Sequence, residues 1–195
     1  MPDKQSDLYI SGDIEADGPI PGRYSMLAFG LALAGTFDGE TFEPLDPAAK
    51  TFYAELRPIS DNYDEDALKV SHLDRNELLR RGRPAPEAMT EASEWVRHQA
   101  AGRRPVFVGF PAAFDWMFLY WYFVNFSATR TPFDFSACLD MKTMYQQKAR
   151  VVTAEAGLDD LPDVLRSHRP HTHNALDDAV EQADIFVRLF QWDGR

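Results

Sequence analysis

Cysteine is nearly missing from this sequence. Cys138 is the one thiol among 195 residues, so no intrachain disulfide can brace the chain and a packed core must hold it. Basic residues are scarce too: 20 Lys and Arg face 31 Asp and Glu, a net charge of −11, which argues against the strongly basic face that grips a long duplex. A short substrate held at a metal centre remains compatible with that charge, because bound divalent ions can reverse the local field. Long apolar runs are also absent. The most apolar stretch, Phe114 to Phe126, is interrupted by Asp115 and is shorter than the roughly 20 residues needed to cross a bilayer, so it reads as a buried helix. The opening Met1-Pro2-Asp3-Lys4-Gln5 has neither a basic n-region nor an apolar segment. A cytoplasmic protein without a membrane partner is expected. No repeat, low-complexity tract or linker interrupts the chain, and with 45% hydrophobic residues it is expected to bury one core as a single domain over residues 1–195.

The hydrophobic pattern predicts an α/β chain. From Leu8 to Glu15 apolar and polar residues alternate, with Leu8, Ile10 and Ile14 on one face and Tyr9, Ser11, Asp13 and Glu15 on the other. Met26 to Ala34, with Gly30 inside it, reads as a central strand; Thr36 to Ala49 is turn-rich, and Phe52 to Leu56 alternates as a third strand. A helix is expected from Asp64 through Leu79, and another from Glu87, marked by Ala88, Ala92, Trp95, Val96 and Gln99. Pro105 to Phe110 has the form of a buried strand feeding the aromatic helix. Further helices are expected over Ser136–Gln147, Leu158–Leu165 and Asn174–Phe190. In the last of these, Leu176, Val180, Ala183, Val187 and Phe190 form the packed stripe, and Asp178 lies off it beside Asn174, Ala175, Glu181 and Gln182.

Against this background the acids stand out by position. Asp13 and Glu15 share a strand face with Cα atoms about 7 Å apart, close enough to reach one divalent cation. Asp115 heads a helix otherwise made of Phe, Trp, Met, Leu and Tyr, where an unpartnered carboxylate is costly. Asp178 lies in the first turn of the last helix, and His173 just precedes it. Taken singly, each has a plainer reading: a solvated strand end, a helix-dipole acid, a capping histidine. Together they are the inventory of a two-ion phosphoryl-transfer site, carboxylates for the ions and a base for the attacking water.

At these residues the sequence resembles the histidine subgroup of the DEDD exonuclease superfamily, which includes ribonuclease T, oligoribonuclease and proofreading exonucleases. Asp13-Ile14-Glu15 matches its first motif, Phe114-Asp115 the second, and His173, Ala175 and Asp178 the His-x-Ala-x-x-Asp third. The resemblance implies a ribonuclease H-like fold with a central mixed sheet flanked by helices. It further implies two Mg²⁺ or Mn²⁺ ions held by Asp13, Glu15, Asp115 and Asp178, with His173 as general base. The implied activity is 3′–5′ removal of nucleoside 5′-monophosphates from short single strands, RNA in preference to DNA. Small relatives often form homodimers, for which the Trp116–Phe126 helix offers apolar residues. Two positions depart from the pattern: Pro111 stands where many relatives carry Asn, and Ala16 where they often carry Thr.

A catalytically silent nucleotide- or protein-binding module on the same fold is the alternative from another class, and it has no need of all five residues. His171-Thr172-His173 has the His-x-His spacing of a zinc pair. The barrel of metal-dependent amidohydrolases, however, needs roughly 250 residues, so His171 is expected to be an ordinary loop residue. Arg166 and Arg169 are candidates for phosphate contacts from the same loop. Core packing is the expectation for Met26, Phe29 and Trp116, with base stacking as the other role open to each.

Overall fold

A computed structural model describes residues 6–194; the Met1–Gln5 segment considered above as a leader lies outside them. The first strand, β1 (Asp7–Ala16), pairs antiparallel with β2 (Met26–Phe37) on one side. On its other side it pairs parallel with β5 (Arg104–Gly109), which in turn pairs parallel with β6 (Cys138–Asp140). The outer edge of β2 is shared end to end by β3 (Phe42–Pro44) and β4 (Thr51–Glu55), completing a mixed six-stranded sheet.

The two faces of β1 go where the alternation predicts. Leu8, Ile10 and Ile14 join the apolar cluster under α3 (Ala85–Ala100) and α4 (Ala112–Phe126). Tyr9 joins the opposite cluster, built with α5 (Met141–Ala149) and α6 (Ala175–Gln191). On β2 the faces also differ in size. Leu27, Phe29, Leu31 and Leu33 alternate with Ala28, Gly30, Ala32 and Ala34, and the small residues let α6 lie close. The approach is tightest at Gly30, where an added Cβ would stand 2.3 Å from the Ala175 carbonyl oxygen. Met26 and Phe29 are fully buried, which assigns them to packing. Trp116 is partly buried against Phe107 and Phe133. Along α4, Met117 and Val124 keep an exposed apolar surface.

Four expected elements differ. The helix expected from Asp64 is two helices, α1 (Glu65–Ser71) and α2 (Arg75–Arg81). His72 adopts a left-handed conformation (φ 55°), and Asp74 starts afresh by accepting the amides of Asn76 at 2.8 Å and Glu77 at 3.2 Å. The helix expected from Ser136 begins only at Met141, because Cys138–Asp140 extends to pair with Phe107–Gly109. Over Leu158–Leu165 only the 3₁₀ turn Leu158–Asp160 forms; the Asp160 carboxylate accepts the Gly157 amide at 2.8 Å, and Arg166 Nε donates to Leu161 O at 2.7 Å. Finally, the turn-rich span after Thr36 contains β3, recruited by the end of β2. Among the described residues no helix is long and apolar enough to cross a membrane.

Candidate active site

Pairing between β1 and β5 stops at Ser11 and Val108, so the last residues of β1 run past the β5 edge with backbone groups to satisfy. Helix α4 fills that place. Its first-turn Asp115, 7% exposed, accepts the Ile14 amide at 3.3 Å. The start of α4 is itself anchored from β6, since the Asp140 carboxylate accepts the Ala112 amide at 2.7 Å and the Thr143 amide at 2.8 Å. Asp140 thereby caps α5 and fixes the helix that carries Asp115.

The third acid arrives on α6. Asn174 caps this helix by accepting the amides of Leu176 and Asp177, and its first turn lies on β2 at Gly30, whose register partner on β1 is Asp13. That contact brings Asp178, 1% exposed, to the β1 acids. One oxygen each of Asp13, Glu15 and Asp178 lies within 4.8 Å of the others. Asp115 adjoins them. Asp13 also accepts a hydrogen bond from Gln182 Nε2 at 2.7 Å, while the Gln182 Oε1 accepts the Phe110 amide at 2.8 Å. Gln182 is thus a buried strut between β1, β5 and α6; its place four residues after Asp178 on the same helix face was visible in the sequence, but its partner was not.

The electrostatics of this cluster are those of acids crowded out of water. Burial, followed by the charges of Asp115, Glu15 and Asp178, holds the Asp13 carboxyl far above the usual range, against the opposing pull of the Gln182 hydrogen bond. Burial and then Asp178 and Asp115 push Glu15 up to about 8. Burial likewise raises Asp115 to about 7, opposed by its bond to the Ile14 amide. None of the groups shifting these three acids is a cation. A set of hard oxygen donors that destabilise one another as anions fits divalent Mg²⁺ or Mn²⁺, which would supply the missing positive charge.

His173 precedes the α6 cap in a left-handed conformation (φ 54°), exposed, with its ring 4.8 Å from that of His171 and 6.3 Å from that of His72. His171 is a loop residue as expected, yet it engages the site: its Nδ1 lies 3.0 Å from Glu181 Oε2 and 3.3 Å from Asp178 Oδ1. Between the two histidines, the Thr172 amide donates to Asp178 Oδ1 at 2.9 Å. Arg166 donates to the carbonyls of Leu161 and Asp159, which commits it to shaping the loop. Arg169 lines a separate cavity of about 330 Å³ with Thr172, Leu176 and Asp177.

Beside Glu15 opens a mostly apolar cavity of about 320 Å³, lined by Ile14, Ala16, Pro19, Val70 and Phe114. Asp17 anchors the helical segment behind it: its fully buried side chain pairs with Arg75 Nε, at the start of α2, at 3.0 Å. The Asp64 amide also donates to the Asp17 carbonyl at 2.8 Å. The Asp17–Arg75 pair was not anticipated, since nothing local in either segment announces the other.

Comparison with known proteins agrees with this architecture. The chain is 34% identical over 181 residues to the 3′-5′ DNA exonuclease Cap18 of Escherichia coli, covering 92% of this chain and 90% of that protein. It superposes on the nuclease domain of 3′hExo, a DEDDh family member bound to rAMP, with a TM-score of 0.67, 17% identity, and 97% and 94% of the two chains covered. A 3′-exonuclease with 3′-end specific recognition of a histone mRNA stem-loop matches with a TM-score of 0.66 and 15% identity over 97% of this chain; the chain spans 64% of the length of that one. The fold is the ribonuclease H-like one the resemblance implied, a mixed sheet flanked by helices. A family model described as the 3′-5′ exoribonuclease Rv2179c-like domain matches residues 26–190, and the chain belongs to that family.

Proposed function

We propose that this protein is a 3′–5′ exonuclease that releases nucleoside 5′-monophosphates from the ends of short single strands, working as a single domain at the acid cluster. The observation that carries this reading is the close set of Asp13, Glu15 and Asp178 with Asp115 beside them, carboxylates buried or half-buried at one point of the fold. Asp13, Glu15, Asp115 and Asp178 would hold two Mg²⁺ or Mn²⁺ ions, whose chemistry when bound would be to lower the pKa of the attacking water and to stabilise the leaving 3′ oxygen. Gln182 fixes the Asp13 carboxylate so that the strand end and the last helix keep one spacing. The apolar cavity beside Glu15 receives the terminal base, with Phe114 and Val70 as its walls. His173 accepts a proton from the water as its oxygen attacks phosphorus; the bond from phosphorus to the 3′ oxygen of the preceding nucleotide breaks, and the 5′-monophosphate departs.

RNA is the proposed substrate over DNA. The exoribonuclease description of the family supports it, and the name of the E. coli relative points the other way, so matched RNA and DNA strands are the deciding pair. The exposed face of α4 around Met117 and Val124 is the proposed homodimer contact. A strand labelled at its 5′ end should shorten as a ladder with Mg²⁺ and stop with EDTA. Cleavage of a circular single strand would overturn the exonuclease reading.

A further inference from the structure

Asp178 belongs to a second group of donors that the nuclease reading does not use as such. The imidazoles of His171 and His173 and the Asp178 carboxylate each place one ligand atom within 4.8 Å of the others. This group differs in chemistry from the β1 acids. Those present oxygen alone, the preference of Mg²⁺, whereas two imidazoles and a carboxylate suit a borderline ion such as Zn²⁺. It is also braced. Glu181 Oε2 stands 3.0 Å from His171 Nδ1, the arrangement by which carboxylates orient metal-binding histidines. The Thr172 amide ties the segment between the two rings to Asp178 Oδ1. No helix or strand occupies residues 166–174, so the ligand atoms can close the remaining distance to a tetrahedral ion.

We propose that His171, His173 and Asp178 form an inhibitory Zn²⁺ site beside the catalytic acids. Imidazole lone pairs given to a metal cannot accept a proton, and the Asp178 carboxylate drawn toward the histidines is withdrawn from the acid cluster. Zinc therefore silences the enzyme at Mg²⁺ concentrations that otherwise support turnover. The inhibitory half of this proposal rests on the role assigned to His173 above; the binding half does not.

Co²⁺ reports the two halves separately, because its visible absorption distinguishes a low-coordinate site with nitrogen donors from an octahedral all-oxygen one. With the full chain saturated in Mg²⁺, one equivalent of Co²⁺ should develop that absorption, and Zn²⁺ should displace it. His171→Ala should weaken Co²⁺ at least tenfold, and Glu181→Gln, which removes an orienting partner, about tenfold to a hundredfold. Measured against each protein's own Mg²⁺-supported rate, His171→Ala should raise the Zn²⁺ concentration for half-inhibition by the same factor as the loss in Co²⁺ affinity. His171→Asn, with far-UV circular dichroism on both variants, guards against a folding artefact. Equal Co²⁺ affinity in parent and His171→Ala, or Zn²⁺ inhibition that survives the substitution, overturns the site. Absence of nuclease activity with the Co²⁺ signal intact would instead refute the proposed function and leave the metal site standing.

Discussion

Asp13 and Glu15 lie on a strand whose register is fixed by β2 and whose side chains are enclosed by α4 and α6, whereas His171 and His173 ride on a segment with no helix or strand of its own. Both groups meet at Asp178. The acids are placed by packing between residues far apart in sequence, and their spacing is a property of the sheet and the last helix. The histidines are placed by a few hydrogen bonds at a loop. The difference assigns rigidity to the groups proposed to hold metal ions at fixed distances and adjustability to the group proposed to exchange a proton with solvent.

Removing one charge from the rigid half should produce the largest effect. Asp13→Asn keeps the shape, so divalent binding and turnover should vanish together, while the thermal midpoint in EDTA stays level or rises because a repulsive carboxylate is gone. Turnover retained at saturating Mg²⁺ would show that Asp13 is not a metal ligand. In the adjustable half, His173→Ala should lower single-turnover cleavage by about 10²–10⁴, with Mn²⁺ binding nearly intact. Loss of metal binding there would make the histidine a ligand of the catalytic ions. Gln182→Leu tests whether the rigidity itself matters. It strands the Phe110 amide, a cost of about 1–3 kcal/mol, and should weaken metal binding or activity about 10- to 100-fold, a loss Gln182→Glu would not reproduce in the same proportion. Smallest is the pH trend of the metal-free protein. Glu15 is raised from its ordinary 4.5 to about 8, so between those values the folded chain keeps a proton the unfolded chain has released, and stability falls as pH rises through that window. A midpoint in EDTA that climbs from pH 5 to pH 8 would contradict the crowding of acids, and Mg²⁺ should flatten the fall.

The same contrast explains what could be read from the chain alone. The alternation in β1, the apolar run of β5 and the stripe of α6 each carry their partner's demands in their own pattern, and the acids sit where those patterns end. Short elements carry no such signal: β3 and β6 are three residues each and exist because β2 and β5 offer them hydrogen bonds. The break between α1 and α2 depends on one residue, His72, turning left-handed. Of the candidate site, the convergence of the β1 acids with Asp178 was legible because motif and element boundary coincide. The Gln182 strut, the double cap at Asp140, the Asp17–Arg75 pair and the turn of His171 toward Glu181 are relations between distant segments, and single-sequence periodicity contains none of them.

The bare backbone at Gly30 has a consequence for how such chains are recognised. It is the register partner of Asp13, and the carbonyl of Ala175, the alanine of the third motif, rests where its Cβ would be. The small letters of this sequence are therefore as diagnostic as the acidic ones. A chain that spelled Asp-x-Glu and His-x-Ala-x-x-Asp but placed a side chain opposite the first acid would hold the last helix off the sheet, and would have the alphabet of the site without its dimensions.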